Sequence, residues 1–269
     1  MTVCVSVKVG EGLVLAADSV VTMLGEIDTP DGPQQQVMQT FEYANKVTRL
    51  KDYPIGVMTW GAASVGDRSI QSLIMEFEYG AKSCDANVGY TVLGMAQELG
   101  SFLRPVYDAA FPDPAPRPGL GLLVGGYSSG EFFADEYKLD LPLDSDWQEV
   151  RVDQPNGRPA FGADWFGQTG PLVRLVRGFD PGAFGELVKR GVDQAVLEKW
   201  VNDGVSAWPI IFDGMPLQDA VDFAQYAAQV TLGWFRFGLG PAICGGDIDI
   251  AVITPNAFQW SQRKQWAIK

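Results

Sequence analysis

Residues 2–9, T-V-C-V-S-V-K-V, alternate without a break: Val3, Val5, Val7 and Val9 share one face, Thr2, Cys4, Ser6 and Lys8 the other. Successive side chains point to opposite sides only in an extended chain, so this segment is committed to a strand. Gly10-Glu11-Gly12 reads as a turn, and L-V-L-A-A-D (13–18) as a nearly continuous apolar strand. Together they predict a hairpin beginning at the second residue. Termini fray unless a sheet ties them down, so this strand belongs in a sheet.

Farther along, 23–40 holds Pro30, Asp31, Gly32, Pro33 and a glutamine run, and reads as a surface loop. F-E-Y-A-N-K-V-T-R-L and P-I-G-V-M-T-W (54–60) form a second strand pair that turns at Lys51-Asp52-Tyr53. Apolar residues at helical spacing predict a helix over 62–82, through Val65, Ile70, Leu73, Ile74 and Phe77. A second helix is predicted over 87–108, ended by the proline-rich P-D-P-A-P-R-P-G at 112–119. Strands L-G-L-L-V-G-G-Y and E-F-F-A-D-E-Y-K-L-D follow, then short strands at 147–153 and 158–162. Helices over 166–178, 182–203 and 216–235 precede a closing strand, 247–254. Hairpins dominate and helices come in consecutive groups. That order predicts an α+β fold with mostly antiparallel sheets and helices on the outside of two packed sheets. No repeat or linker divides the chain, so 1–269 reads as a single domain.

Composition narrows the function. Apolar residues make up 46% of the 269 and charged residues 20%, enough for a substantial core. A net charge of −13 repels phosphate backbones and argues against nucleic-acid binding. No apolar run approaches the roughly 18 residues of a membrane span, and no secretory-signal pattern opens the chain. Cys4, Cys84 and Cys244 are odd in number and far apart, which fits neither a disulfide framework nor a C-x-x-C zinc site and suits a reducing cytoplasm. The chain has no histidine. Histidine-dependent triads and histidine-ligated zinc are excluded. An enzyme built from this chain must take its general base from a carboxylate, a lysine, a tyrosine or its own α-amine.

Thr2 offers the last of these. A small second residue permits removal of Met1, which leaves a hydroxyl and a free amine on one residue. The hydroxyl attacks and the amine accepts its proton. A terminal amine has a pKa near ~8, better matched to neutral pH than lysine at ~10.4. Such an N-terminal threonine is a known route to an activated nucleophile without histidine.

The run from Thr2 to Ser19, T-V-C-V-S-V-K-V-G-E-G-L-V-L-A-A-D-S, resembles the proteasome β-subunit family, including the bacterial proteasome-like proteins. Lys46 in N-K-V-T-R-L and Gly61 in I-G-V-M-T-W-G-A-A-S match two further family positions. L-L-V-G-G-Y-S-S-G resembles the central hairpin and G-G-D-I-D-I-A-V-I-T-P the closing strand. The resemblance implies a four-layer αββα sandwich of the N-terminal-nucleophile hydrolase type. It implies Thr2 as nucleophile and, through its amine, general base. Lys46 would lower the hydroxyl pKa, Asp18 would pair with Lys46, and the Gly61 amide would serve the oxyanion hole. Thr59 falls near the expected substrate pocket.

The sequence departs from the family in two places. The supporting serine of a G-S-G-like segment falls at Asp164 in F-G-A-D-W-F-G, which is either a stand-in for it or a surface acid at a turn. An Asp-x-x-Ser-Gly element reads P-A-I-C-G-G, with Pro241 and Cys244 at its key positions. The loop at 19–43 is an insertion relative to a compact member. The implied activity is a threonine-type endopeptidase acting on unfolded polypeptide within a homo-oligomeric ring. It needs no metal or organic cofactor and leaves any unfoldase partner open. Two alternatives stand beside it: a catalytically silent structural subunit, and an N-terminal-nucleophile amidohydrolase acting on a small amide.

Overall fold

The computed structural model describes residues 2–29, 32–80, 89–240 and 243–265. Met1, Cys84 and Pro241 lie outside the described residues. The alternating segment forms β1 (Val3–Val9), and Gly10 and Glu11 turn it into β2 (Gly12–Asp18). Next come β3 (Val21–Thr29), β4 (Gly32–Phe41), β5 (Val47–Arg49) and β6 (Ile55–Gly61). A small hairpin, β7 (Ser64–Val65) and β8 (Arg68–Ser69), leads into α1 (Ile70–Gly80) and then α2 (Val92–Ala110). β9 (Leu120–Gly126), β10 (Asp135–Leu141), β11 (Gln148–Glu149) and β12 (Gly162–Gly167) follow. A single turn, α3 (Gly170–Leu172), runs into a π-helical stretch over Val173–Arg177. The chain finishes with α4 (Pro181–Lys189), α5 (Gln194–Asn202), α6 (Leu217–Phe237), β13 (Ile248–Thr254) and β14 (Ala257–Gln262).

The strands assemble into two five-stranded antiparallel sheets, ordered β12-β1-β2-β13-β14 and β11-β10-β9-β6-β5. With the helices this makes an α+β fold. β1 lies between β2 and β12, so the start of the chain is held on both sides. Val3, Val5, Val7 and Val9 pack with Ala220, Val221, Ala224 and Ala228 of α6. Small alanines on that helix stripe let it approach the sheet closely. A second cluster joins Leu73, Ile74 and Phe77 of α1 and Leu99 and Leu103 of α2 to Val57, Leu122, Val124 and Leu139. A third draws on both five-stranded sheets: Cys4, Leu13, Leu15 and Ala17 from one, Met58 and Leu123 from the other. The polar face of β1 is therefore buried too, against the other sheet. Ser6 and Lys8 are 0% and 4% exposed.

Several boundaries differ from those predicted by local pattern. Pro30 and Asp31 lie outside the described residues, but the rest of the region 23–40, read as a loop, falls in β3 and β4, which pair with each other. Glutamines carry no periodic apolar signal, and only the ladder of cross-strand hydrogen bonds makes the segment a strand. The helix predicted over 62–82 begins at Ile70, because β7 and β8 turn through Gly66 at a φ of 61° first. The helix predicted over 87–108 is α2; the side chain of Thr91 accepts a hydrogen bond from Gly94 N at 3.0 Å and caps its start. The stretch 182–203 splits into α4 and α5 at Gly191 (φ 91°), and Asp193 caps the second piece by accepting from Ala195 N at 2.9 Å. The strand expected at 158–162 lies instead at Gly162–Gly167, and β14 adds a strand that the sequence reading lacked.

Candidate functional site

Asp18 ends β2, and its carboxylate faces back toward the start of β1. Its Oδ1 accepts hydrogen bonds from the Val3 amide at 3.0 Å and from Lys46 Nζ at 2.7 Å. Its Oδ2 accepts from Gly245 N at 3.1 Å and more weakly from Val20 N at 3.4 Å. Lys46, immediately before β5, also donates to the Val20 carbonyl at 2.6 Å. Side-chain exposure is 5% for Lys46 and 0% for Asp18. One buried ion pair thus ties together the residue after Thr2, the approach to β5 and the approach to β13. Buried charges need such dense partnering, since desolvation penalises each of them separately.

Thr2 itself is 5% exposed. Its carbonyl accepts from Gln168 N at 2.8 Å, which extends the β1–β12 pairing by one bond. Gly167 has a φ of 79°, and a Cβ there would stand 2.1 Å from the Thr2 carbonyl oxygen; only glycine lets β12 come this close. Thr2, Lys46, Thr59, Trp60 and Gly61 line one cavity of about 630 Å³. Gly61 ends β6 at a φ of 85°, and a Cβ there would meet the Gly119 carbonyl oxygen at 2.2 Å. The structure therefore brings Thr2, Lys46 and Gly61 to one cavity, with Asp18 directly behind.

It does not bring Asp164 there. Asp164 pairs with Ser6 across β1 and β12, four residues along from Gln168, roughly 13 Å at about 3.3 Å per residue. Its carboxylate pairs with Arg151 Nη2 at 2.7 Å. Arg151 also holds Glu136, and Glu136 takes the Ser6 hydroxyl, so Asp164 belongs to a polar network that satisfies the inward side of β1. The segment beside Thr2 is instead Gly167-Gln168-Thr169-Gly170. The displaced strand boundary caused the misplacement, and the repeated glycines of G-Q-T-G were the available signal. Trp60 also escaped sequence reading. It stacks on Phe166 at 4.5 Å between ring centres and donates through Nε1 to Asp140 at 3.1 Å.

Cys244 is buried near Asp18. Burial, with the Asp18 carboxylate adding to it, pushes its thiol up to about 12. Burial likewise raises the Cys4 thiol well above its ordinary value, and Cys4 Sγ donates to the Thr59 carbonyl at 3.4 Å. A raised pKa leaves these groups as neutral thiols at neutral pH, and the thiolate is the reactive form. Iodoacetamide at pH 8 is therefore expected to leave Cys4 and Cys244 unlabelled in the folded protein and to label both in denaturant, as read by peptide mass mapping. Labelling of either in the folded state would show that the site opens.

Two antiparallel sheets flanked by helices thus carry a strand whose leading residue, Thr2, lines a cavity. No protein-family model matches the sequence, and no curated protein matches it. Solved structures do match. Anbu (ancestral beta-subunit) from Yersinia bercovieri superposes with a TM-score of 0.51 at 16% identity, over 94% of this chain and 81% of that one. An Anbu mutant from Hyphomicrobium sp. strain MC1 gives 0.54 at 15% identity, over 98% and 86%. The helical assembly of the Anbu complex from Pseudomonas aeruginosa gives 0.54 at 15%, over 99% and 88%. At these identities the likeness establishes the fold. It also corrects the resemblance drawn from the sequence: these neighbours are proteasome-like Anbu proteins rather than proteasome β-subunits.

Among the described residues, no helix is long and apolar enough to cross a membrane, and no group of three or more His, Cys, Asp or Glu is placed to hold a metal ion.

Proposed function

We propose that this chain is a threonine-type peptidase subunit with Thr2 as its N-terminal nucleophile once Met1 is removed. The observation that carries this reading is the Asp18–Lys46 pair, buried against the backbone of Val3 and adjoining the cavity that Thr2 lines. The Thr2 hydroxyl attacks the scissile carbonyl and passes its proton to the Thr2 amine. The carbon–nitrogen bond breaks, the amine returns that proton to the leaving group, and water hydrolyses the resulting ester. The buried ammonium of Lys46 stabilises negative charge developing on the hydroxyl oxygen, and Asp18 orients it. The Gly61 amide, at the cavity edge, is assigned to the oxyanion, where one aimed donor is worth about 3–4 kcal/mol. The three packed clusters support a four-layer αββα sandwich formed by the whole chain as one domain. Self-assembly draws support from the helical assembly of the Anbu neighbour.

Intact mass before and after incubation with a peptide epoxyketone, which needs both hydroxyl and amine of an N-terminal threonine, tests the reading. Loss of one methionine followed by a single adduct supports it. Retention of Met1 with no adduct would transfer the chain to the structural-subunit reading.

A further inference from the structure

The cavity beside Thr2 has two chemically distinct parts. One wall is apolar and comes largely from the base of the β3–β4 hairpin and the residues after it: Met23, Phe41 and Tyr43. The other feature is a pair of carboxylates, Glu42 just after β4 and Asp67 in the turn between β7 and β8. Both are exposed, and among the described residues neither forms an ion pair. The nearby cations are already engaged. Lys46 is bound to Asp18 at 2.7 Å, and Arg68, next to Asp67, is bound to Glu76 at 2.7 Å. Among the described residues, Lys46 is the one lysine or arginine that lines the cavity.

We propose that this cavity selects a polypeptide carrying a lysine or arginine side chain next to the scissile bond, with Glu42 and Asp67 as the specificity-determining residues. This rests on the reading of Thr2 as nucleophile. A long cationic side chain has an apolar stem and a charged head, and the stem packs on apolar surface while the head stays near water. Met23 supplies apolar surface for the stem, and Phe41 and Tyr43 supply aromatic rings of the kind that attract a cation. Glu42 and Asp67 complement the head and repel an acidic side chain. Each partly exposed charge pair is worth about a factor of two to five, and salt screens it.

The test uses three peptide epoxyketones identical except for the side chain beside the electrophile: arginine, leucine or glutamate. Adduct formation on the full-length processed protein is followed by intact mass. The expected rate order is arginine, leucine, glutamate, with arginine about tenfold or more above glutamate at low salt. The combined Glu42→Gln and Asp67→Asn variant should bring arginine close to leucine and raise glutamate. Glu42→Lys combined with Asp67→Lys should favour glutamate over arginine. Both positions are exposed, so folding should be unaffected. Adducts forming with glutamate as fast as with arginine, or an arginine preference that survives the double variant, would overturn the inference and leave the nucleophile in place. Absence of any adduct from all three probes would overturn both readings together.

Discussion

Thr2→Ala is expected to lower peptide hydrolysis by at least about 10³-fold while the protein stays folded. Alanine, like threonine, is small enough to permit methionine removal, so the variant keeps its free amine and loses the hydroxyl together with the γ-methyl. The backbone of residue 2 keeps its own tether, because the bond from Gln168 N to the Thr2 carbonyl at 2.8 Å does not involve the side chain. The adjoining bond from Val3 N to Asp18 at 3.0 Å is equally independent of it. Thr2→Ser, which restores a hydroxyl, should recover measurable turnover and the epoxyketone adduct. Hydrolysis of a fluorogenic peptide, measured beside a thermal melt, reads both arms. If Thr2→Ala retains activity, hydrolysis is carried by another group and the N-terminal mechanism fails. Activity of the processed wild type should also rise with pH through the amine pKa, near ~8, since the base must be neutral to accept a proton.

Asp18→Ala is expected to cost about 3–5 kcal/mol of stability, the usual penalty for stripping one partner from a buried ion pair. The cost has two parts here. Lys46 is left charged with a side chain only 5% exposed. The amides of Val3, Val20 and Gly245 lose the carboxylate that satisfied them. Replacing both members with apolar residues, Asp18→Leu with Lys46→Met, should recover part of the loss by removing the orphaned charge. It should not recover activity, because the proposed mechanism uses the ammonium of Lys46. Chemical denaturation of Asp18→Leu, Lys46→Met and the double variant gives the coupling energy. A loss under about 1 kcal/mol for Asp18→Ala would mean that the pair does not hold the start of β1.

The residues around Thr2 show which parts of this arrangement are local. β1 and β2 are legible because their alternation and their Gly10-Glu11-Gly12 turn are properties of adjacent residues. Lys46 and Gly61 are found by likeness to a motif, and the structure brings both to the cavity of Thr2. Asp164 was misplaced because the position of β12 depends on pairing with β1 across more than 150 residues of sequence, and nothing within residues 158–167 states that register. The β3–β4 hairpin reads as a loop in the sequence for a different reason. Its glutamine-rich strand is held by hydrogen bonds to β3 rather than by any apolar period of its own. Glu42 and Tyr43 reach the cavity only as a consequence.

The sequence by itself determined that the chain starts with a strand, that helices and antiparallel hairpins share the fold, and that no histidine serves as base. Side-chain alternation and residue identity are enough for each of these. Only the tertiary structure decided that the polar face of β1 points into the protein, where Ser6 meets Glu136 and Asp18 meets Lys46. It also decided that Gln168, not Asp164, lies beside Thr2. Those facts depend on which strands pair and in what register. Register is set by burying whole faces at once, a condition that no short stretch of sequence can express.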